Sequence, residues 1–310
     1  MAKILTTGGA GFIGSAVAKY LASLGHVIHV LDRYEVPSIP NVKVFRGSVL
    51  DQAAILEAME GCDYVLHLAA ILGVFRANSN PLECLDVNIM GTRNVLECCV
   101  KLRVKKILLS SSSEVYGEPV EIPISETALL SPKSEYGVSK VVGEEYCRAY
   151  AQSFGLPYVI VRLFNVYGDR QRDDFVMSVF TSAAAAGQPL KINGDGLQTR
   201  AFCYVDDIAE GMIALLSSEK AANEIFNLGN PSEPIAVLEL AKRVLRHAGK
   251  SERLIQFTTS ENADRSPERE IQHRLPNIRK AREFVRFEPK VTLDEGIRRV
   301  MSYKMTNSGS

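Results

Sequence analysis

Tyr136 and Lys140 stand four apart in the segment YGVSK, a spacing that brings both side chains to one face of a helix. An ammonium beside a phenol favours the phenolate and lowers its pKa, which makes tyrosine a usable base near neutral pH. The spacing alone is commonplace and fits a solvated helix face. The run SSSSEVYG just upstream ends a strand-like segment with hydroxyls, and with it the pair becomes a candidate catalytic site. A second constellation opens the chain. Gly8, Gly11 and Gly14 in GGAGFIG follow an apolar strand and start a helix at Phe12 and Ile13. Glycines there permit a tight turn, close approach of backbone to a pyrophosphate and tight helix-to-strand packing, with the helix N-terminus supplying positive potential. Asp32 closes the second strand, where a carboxylate accepts hydrogen bonds from an adenosine ribose and repels a 2′-phosphate. NAD is therefore expected rather than NADP. Arg33 next to it would neutralise such a phosphate or stand as a solvated surface arginine.

These groups need a scaffold that gathers distant segments at one edge. Apolar runs of strand length (KILTT, HVIHVLD, VKVFRG, YVLHLAA, KKILLSSS, PYVIVRLF) alternate with helical patterns from Phe12, through DQAAILEAME, after Pro81 and from Tyr136. Continuous rather than alternating apolar strands mean burial on both faces, hence a parallel sheet covered by helices. The expected fold class is α/β, a Rossmann-type doubly wound parallel sheet with a smaller C-terminal α/β substrate lobe. Ligands of such sheets sit at strand carboxyl ends, which is where Ser48-Val49 and Leu68-Ala69-Ala70 fall. After about residue 170 the pattern loosens, so the expected division is a cofactor domain over 1–170, a mainly substrate-binding lobe over 171–305 and a disordered tail over 306–310.

Length and composition fit this reading. A chain of 310 residues suggests two domains or one large domain with an appendage. Apolar residues at 46% and charged residues at 23% are ordinary globular values, and disorder needs far fewer apolar residues. Lys plus Arg and Asp plus Glu both number 36, which argues against a nucleic-acid partner. The opening MAKILTTGGAGFIG breaks into glycines where a secretory signal needs a continuous apolar region, and no segment has the length of a membrane span. A cytoplasmic protein is expected. The six cysteines form no C-x-x-C pair, so buried reduced thiols are expected rather than a metal site or disulfides. His67, inside an apolar strand, reads as a satisfied core histidine.

With these residues in view, the chain resembles the extended short-chain dehydrogenases/reductases of the NAD-dependent nucleotide-sugar epimerase, dehydratase and decarboxylase group. The resemblance rests on TGGAGFIG, HLAA, NIMGT, SSSSEVYG, YGVSK, RLFNVYG, GDGLQTRAFCYVDD, LPNIRKA and EPKVTLDEGI, which cover nearly the whole chain in the family's order. It implies that bound NAD takes a hydride from the sugar, leaving a 4-keto intermediate, and then returns one. By position, Tyr136 would be the base at the carbon 4 hydroxyl and Lys140 would hold the nicotinamide ribose. Ser110 would line the cofactor, and Ser112, with Ser113 beside it, would face the reacting oxygen. Asn165 and Arg200 match positions that hold the diphosphate. A homodimer is implied through helices spanning Leu82 to Leu102 and Tyr136 to Phe154.

Three positions depart from the common pattern. Ser48 stands where many relatives carry Asp beside the adenine. The second arginine on the nucleotide side is Arg265 or Arg269, in an offset loop. Glu114 replaces the small or neutral residue of simple 4-epimerases. Dehydratases and decarboxylases carry a glutamate there, yet Ser113 stands where many dehydratases place an acid, and Arg274 in HRLPNI matches an arginine of uronic-acid decarboxylases. Glu114 read by itself fits equally a carboxylate that accepts backbone or ribose hydrogen bonds. The expected function is a nucleotide-sugar epimerase acting through a 4-keto intermediate. A uronate decarboxylase or a 4,6-dehydratase is the alternative, and an idle NAD-binding regulator the rival of another class. Intact Ser112, Tyr136 and Lys140 count against the last.

Overall fold

The computed structural model describes residues 1–35, 39–72, 80–258 and 270–307. In chain order its strands are β1 Lys3–Thr7, β2 Val27–Asp32, β3 Val42–Arg46, β4 Tyr64–His67, β5 Lys106–Ser112, β6 Tyr158–Leu163, β7 Val166–Tyr167, β8 Leu190–Asn193, β9 Thr199–Ala201, β10 Cys203–Tyr204, β11 Glu224–Leu228, β12 Pro234–Ala236, β13 Ile255–Thr258 and β14 His273–Arg274. Seven of them make one parallel sheet in the order β3-β2-β1-β4-β5-β6-β11. The winding direction reverses between β1 and β4, and a doubly wound sheet opens its ligand crevice at that point. All six side chains of β6 are buried, as an apolar strand covered on both faces requires.

One face of the sheet packs Val17 and Leu21 of the helix Phe12–Ser23 with Ile208 and Met212 of Val205–Ser217. The other face packs Ile55 of Gln52–Met59, Val95 and Leu96 of Gly91–Lys101 and Cys147 of Glu135–Phe154. The long helix Glu135–Phe154 starts where the Ser134 hydroxyl accepts from the Gly137 amide and stops at Gly155, whose φ of 67° a side chain would strain. The helix expected after Pro81 forms in two pieces. Pro81–Leu85 leads through a π-helical turn, Asp86–Met90, into Gly91–Lys101. That turn presents Asn88, whose side chain accepts from the Ile71 amide at 2.8 Å and donates to the Ser139 hydroxyl at 3.0 Å. Asn88 thus ties the segment after β4 to the long helix.

A lobe follows, built on Phe180, Leu190, Leu240 and Ile297, with the small sheets β12-β9-β14 and β13-β8. The division at residue 170 is crossed by the chain itself. The helix Val205–Ser217 and β11 return to the large sheet, because the apolar face of that helix matches the face of the sheet beside Phe12–Ser23. The last helix, Leu293–Asn307, runs into the expected tail, since Ile297, Val300 and Met301 anchor it to the lobe core. All six cysteines are buried and free. Among the described residues no helix is long and apolar enough to cross a membrane.

Candidate active site

A cavity of about 1340 Å³ opens at the carboxyl ends of β1 to β6. Its floor is the glycine turn. The Gly8 amide donates to the Leu31 carbonyl and the Gly11 amide to the Gly8 carbonyl. Gly8 has φ +74°, and a Cβ there would lie 2.7 Å from the Ala69 nitrogen; one on Gly14 would lie 2.1 Å from the Gly8 carbonyl oxygen. Side chains at these positions would collide with the backbone of the turn and of Leu68 and Ala69, so the turn closes this tightly only with glycine. Phe12, Ile13 and Gly14 form the first helical turn beside it, whose amides have no acceptor within the helix. The Asp32 carboxylate is fixed from both sides, accepting from the Ala10 amide at 2.9 Å and the Tyr34 amide at 3.0 Å. Arg33 lines the cavity, half-exposed and 3.9 Å from Glu83. The Ser48 hydroxyl accepts from the Leu50 amide at 3.2 Å and so shapes its own turn, and Val49, Leu68, Ala69 and Ala70 complete this wall. These residues fit a dinucleotide with its pyrophosphate on the turn and a ribose at Asp32.

Tyr136, Lys140, Ser110 and Ser112 line the same cavity. Ser112 lies beside the Tyr136 phenol, and its hydroxyl accepts from the Glu114 amide at 3.2 Å. The electrostatics correct the simple expectation of a phenol acidified by its lysine. Burial, and next the Glu114 carboxylate, push the Tyr136 phenol up, while the Ser112 hydrogen bond pulls it down. Lys140 Nζ donates to the Ser110 carbonyl at 2.8 Å and lies 5.6 Å from the Tyr136 ring centroid. Burial lowers the lysine to about 8. The ammonium is held against β5.

Glu114 leaves β5 in the short helix Ser113–Val115 and meets Arg274 of β14 in an ion pair of 2.7 Å, both side chains being 9% exposed. Buried Ser113 adjoins it on the cavity wall. Arg200 stands beside Arg274 in the β9–β14 register, donating to the Thr199 and Gln272 carbonyls and paired with Glu270. The Asn165 side chain donates to the Ala201 carbonyl at 3.4 Å. Arg265 and Arg269 lie outside the described residues. His67 is the core histidine expected. Its ring bridges the Thr7 and Thr92 hydroxyls at 2.7 and 3.1 Å, and burial takes its pKa down to about 3.

Two features escape a reading of spacing. Glu270, which orients Arg200, sits in a polar run with no pattern of its own. The ion pair Glu144–Arg162 lies behind Lys140 at 2.6 Å, both side chains fully buried. An arginine inside the apolar strand YVIVRL was its available signal, since a charge there requires a partner.

Comparison with known proteins agrees with this geometry. The profile of the NAD-dependent epimerase/dehydratase family matches residues 4–229. The chain is 34% identical to a UDP-N-acetyl-alpha-D-glucosaminuronate decarboxylase of Bacillus cytotoxicus, covering 97% of each. It is 35% identical to a putative UDP-glucose 4-epimerase of Methanocaldococcus jannaschii, covering 98% of this chain and 99% of the other. Among solved structures, the UDP-glucuronic acid 4-epimerase of Bacillus cereus, in complex with UDP-glucuronic acid and NAD, superposes with a TM-score of 0.90. It is 31% identical, covering 98% of this chain and 99% of that one.

Proposed function

We infer that this chain, which belongs to the NAD-dependent epimerase/dehydratase family, is a cytoplasmic nucleotide-sugar epimerase that works through a transient 4-keto sugar, with NAD as its cofactor. The observation that carries the reading is the meeting of Tyr136, Ser112 and Lys140 in the cavity that the glycine turn and Asp32 also line. NAD supplies, when bound, the acceptor and donor of hydride. Tyr136 takes the proton of the carbon 4 hydroxyl at its phenolic oxygen, Ser112 holds the reacting oxygen, and Lys140 would hold the nicotinamide ribose. Arg200, by its fork geometry, grips the diphosphate, with Asn165 alongside. Six buried free thiols suit a reducing compartment. Asp32→Ala is expected to narrow the preference for NAD over NADP, measured by calorimetry; tighter NADP binding by the unaltered protein would sink the assignment of Asp32.

Glu114 bears on the step after oxidation. A 4,6-dehydratase needs a base at carbon 5, whereas Glu114 is engaged by Arg274. Inverting carbon 4 requires only hydride removal, rotation of the keto sugar and hydride return. Glu114→Gln keeps size and hydrogen bonding but cannot act as a base. It is expected to retain substantial turnover, with product from deuterated water carrying no deuterium at carbon 5. Deuterium at carbon 5 together with a collapsed rate would transfer the assignment to a dehydratase or a carbon 5 epimerase.

A specific observation favours decarboxylation as the second reading. The buried Nε of Arg274 has no hydrogen-bond partner among the described residues, and an unused guanidinium donor suits a carboxylate on the sugar. A keto group at carbon 4 then serves as the electron sink for loss of carbon dioxide, which needs no base at Glu114. Mass spectrometry of products from a panel of UDP-, dTDP-, GDP- and CDP-sugars including UDP-glucuronate separates the cases. A new chromatographic peak of unchanged mass supports the epimerase, loss of carbon dioxide the second reading, and a panel with no new peak overturns both.

The protein is further proposed to work as a homodimer. The helix Glu135–Phe154 leaves Val138 and Phe154 exposed, with Tyr146, Tyr150 and Phe154 in successive ring contact, and Leu82 and Met90 are exposed on the segment 81–90 that packs beside it. Apolar groups on helices already packed on the sheet by another face suit a second copy. Light scattering is expected to give twice the chain mass at micromolar concentration, and a monomer mass would refute this.

A further inference from the structure

Behind the Tyr136 and Lys140 pair lies a polar network that the chemistry above does not use. Glu144 stands one helical turn beyond Lys140 in Glu135–Phe154 and is fully buried. One carboxylate oxygen accepts from the Ser111 hydroxyl at 2.6 Å and from Arg162 Nε at 2.9 Å, and the other accepts from Arg162 Nη2 at 2.6 Å. Arg162 is anchored in turn. Its Nη1 donates to the Tyr116 hydroxyl at 2.9 Å and to the Glu126 carbonyl at 3.0 Å, and the Tyr116 hydroxyl donates to Asn227 of β11 at 2.7 Å. Consecutive residues at the end of β5 thus meet one helix face: the Ser110 carbonyl receives Lys140 and the Ser111 hydroxyl binds Glu144, with Ser112 next in line beside Tyr136.

We propose that Glu144 is a positioning residue for hydride transfer: clamped by Ser111 and Arg162, its carboxylate locks the helical turn bearing Lys140 onto β5 and supplies the negative charge that keeps that lysine an ammonium. The inference rests on the roles given above to Tyr136 and Lys140. A buried ion pair contributes little net stability and is strongly felt only when one partner is removed. A carboxylate one turn from a buried ammonium opposes the desolvation that drives the lysine towards neutrality. The charged or titratable groups around Lys140 are few. Burial lowers it, and the buried Cys84 from the segment Pro81–Leu85 and then Glu144 raise it; of the two, Glu144 is the carboxylate, whereas burial holds the Cys84 thiol up and protonated. His67 of β4 is held neutral by burial, Tyr136 shares the helix, and Glu114 acts on Tyr136. Arg162 stands behind Glu144.

The test reads Lys140 directly. In protein labelled with carbon-13 at lysine Cε, one resonance is expected to titrate near 8, apart from ordinary lysines near about 10.4, and to vanish in Lys140→Met. In Glu144→Gln its midpoint is expected to fall by about one pH unit, with kcat reduced and KM little changed. Glu144→Asp, which keeps the charge, is expected to restore the midpoint. Glu144→Leu with Arg162→Met leaves no buried charge unpaired and serves if the single variant does not fold. Its midpoint falls as well, because Glu144, and not Arg162, is among the groups that act on Lys140. An unmoved midpoint in either folded variant overturns the proposal, even if activity is lost, since it leaves Glu144 a fold support only. The titration needs no sugar, so its failure is distinct from an inert substrate panel.

Discussion

Tyr136→Phe is expected to slow keto-sugar formation by about a hundredfold to ten-thousandfold, the usual loss when a general base is removed, while bound NAD is retained. The ring stays, and with it the packing beside Cys84 and Ser112. Only the oxygen that receives the proton is lost. Ser112 cannot substitute, because an aliphatic hydroxyl has a much higher pKa than a phenol. Lys140 cannot substitute either, since as an ammonium donating to the Ser110 carbonyl it has no lone pair to take a proton. The pH dependence should be steep. With the phenol pushed up by burial and by Glu114, the phenolate fraction at neutral pH is small and the rate rises with pH until a proton acceptor is available in every molecule. Single-turnover absorbance of reduced nicotinamide after mixing with the true substrate measures the loss, and denaturation with subsequent chromatography measures NAD content. Near-unaltered turnover in Tyr136→Phe would remove the tyrosine from the mechanism. Loss of NAD along with turnover would make its role one of binding.

Most of the sheet and the cofactor wall could be read from residue order, because each depends on local pattern. Apolar runs such as KILLSSS and YVIVRL can be buried in only one kind of sheet, and the glycine turn needs backbone freedom at fixed positions. What could not be read depends on contacts far apart in the chain. Arg162 and Glu144 are 18 residues apart across a strand and a helix, and their pairing needs the register of β6 beside β5. Arg200 and Arg274 become neighbours only through the β9–β14 register. The electrostatic sign at Tyr136 also needed three dimensions. The spacing of Tyr136 and Lys140 shows a shared helix face, but the depth of burial and the approach of Glu114 decide which way the phenol moves. The return of β11 to the large sheet was hidden for a simpler reason: EIFNL is short and bears two polar residues, as an edge strand can.

Gly14→Ala is expected to reduce NAD affinity by about a hundredfold to ten-thousandfold. The added Cβ would sit 2.1 Å from the Gly8 carbonyl oxygen and 2.8 Å from Gly9 Cα. Both neighbours are backbone, so no side chain can swing aside, and the turn itself must open. Opening it carries the first-turn amides at Phe12 and Ile13 away from the line along which a pyrophosphate would approach. Each charge-assisted hydrogen bond lost costs about 1.5–3 kcal/mol, and two such bonds correspond to the stated range. Gly11→Ala is the matched control. Its Cβ would meet the same carbonyl oxygen at 3.1 Å, a contact that a shift of a few tenths of an ångström relieves, so it should weaken NAD much less. Residual NAD after purification, and calorimetric titration of stripped protein, rank the two variants, with circular dichroism showing that the sheet survives. Equal NAD affinity in Gly14→Ala and the unaltered protein would mean that the pyrophosphate does not rest on this turn, and the cofactor would then have to be sought elsewhere in the cavity.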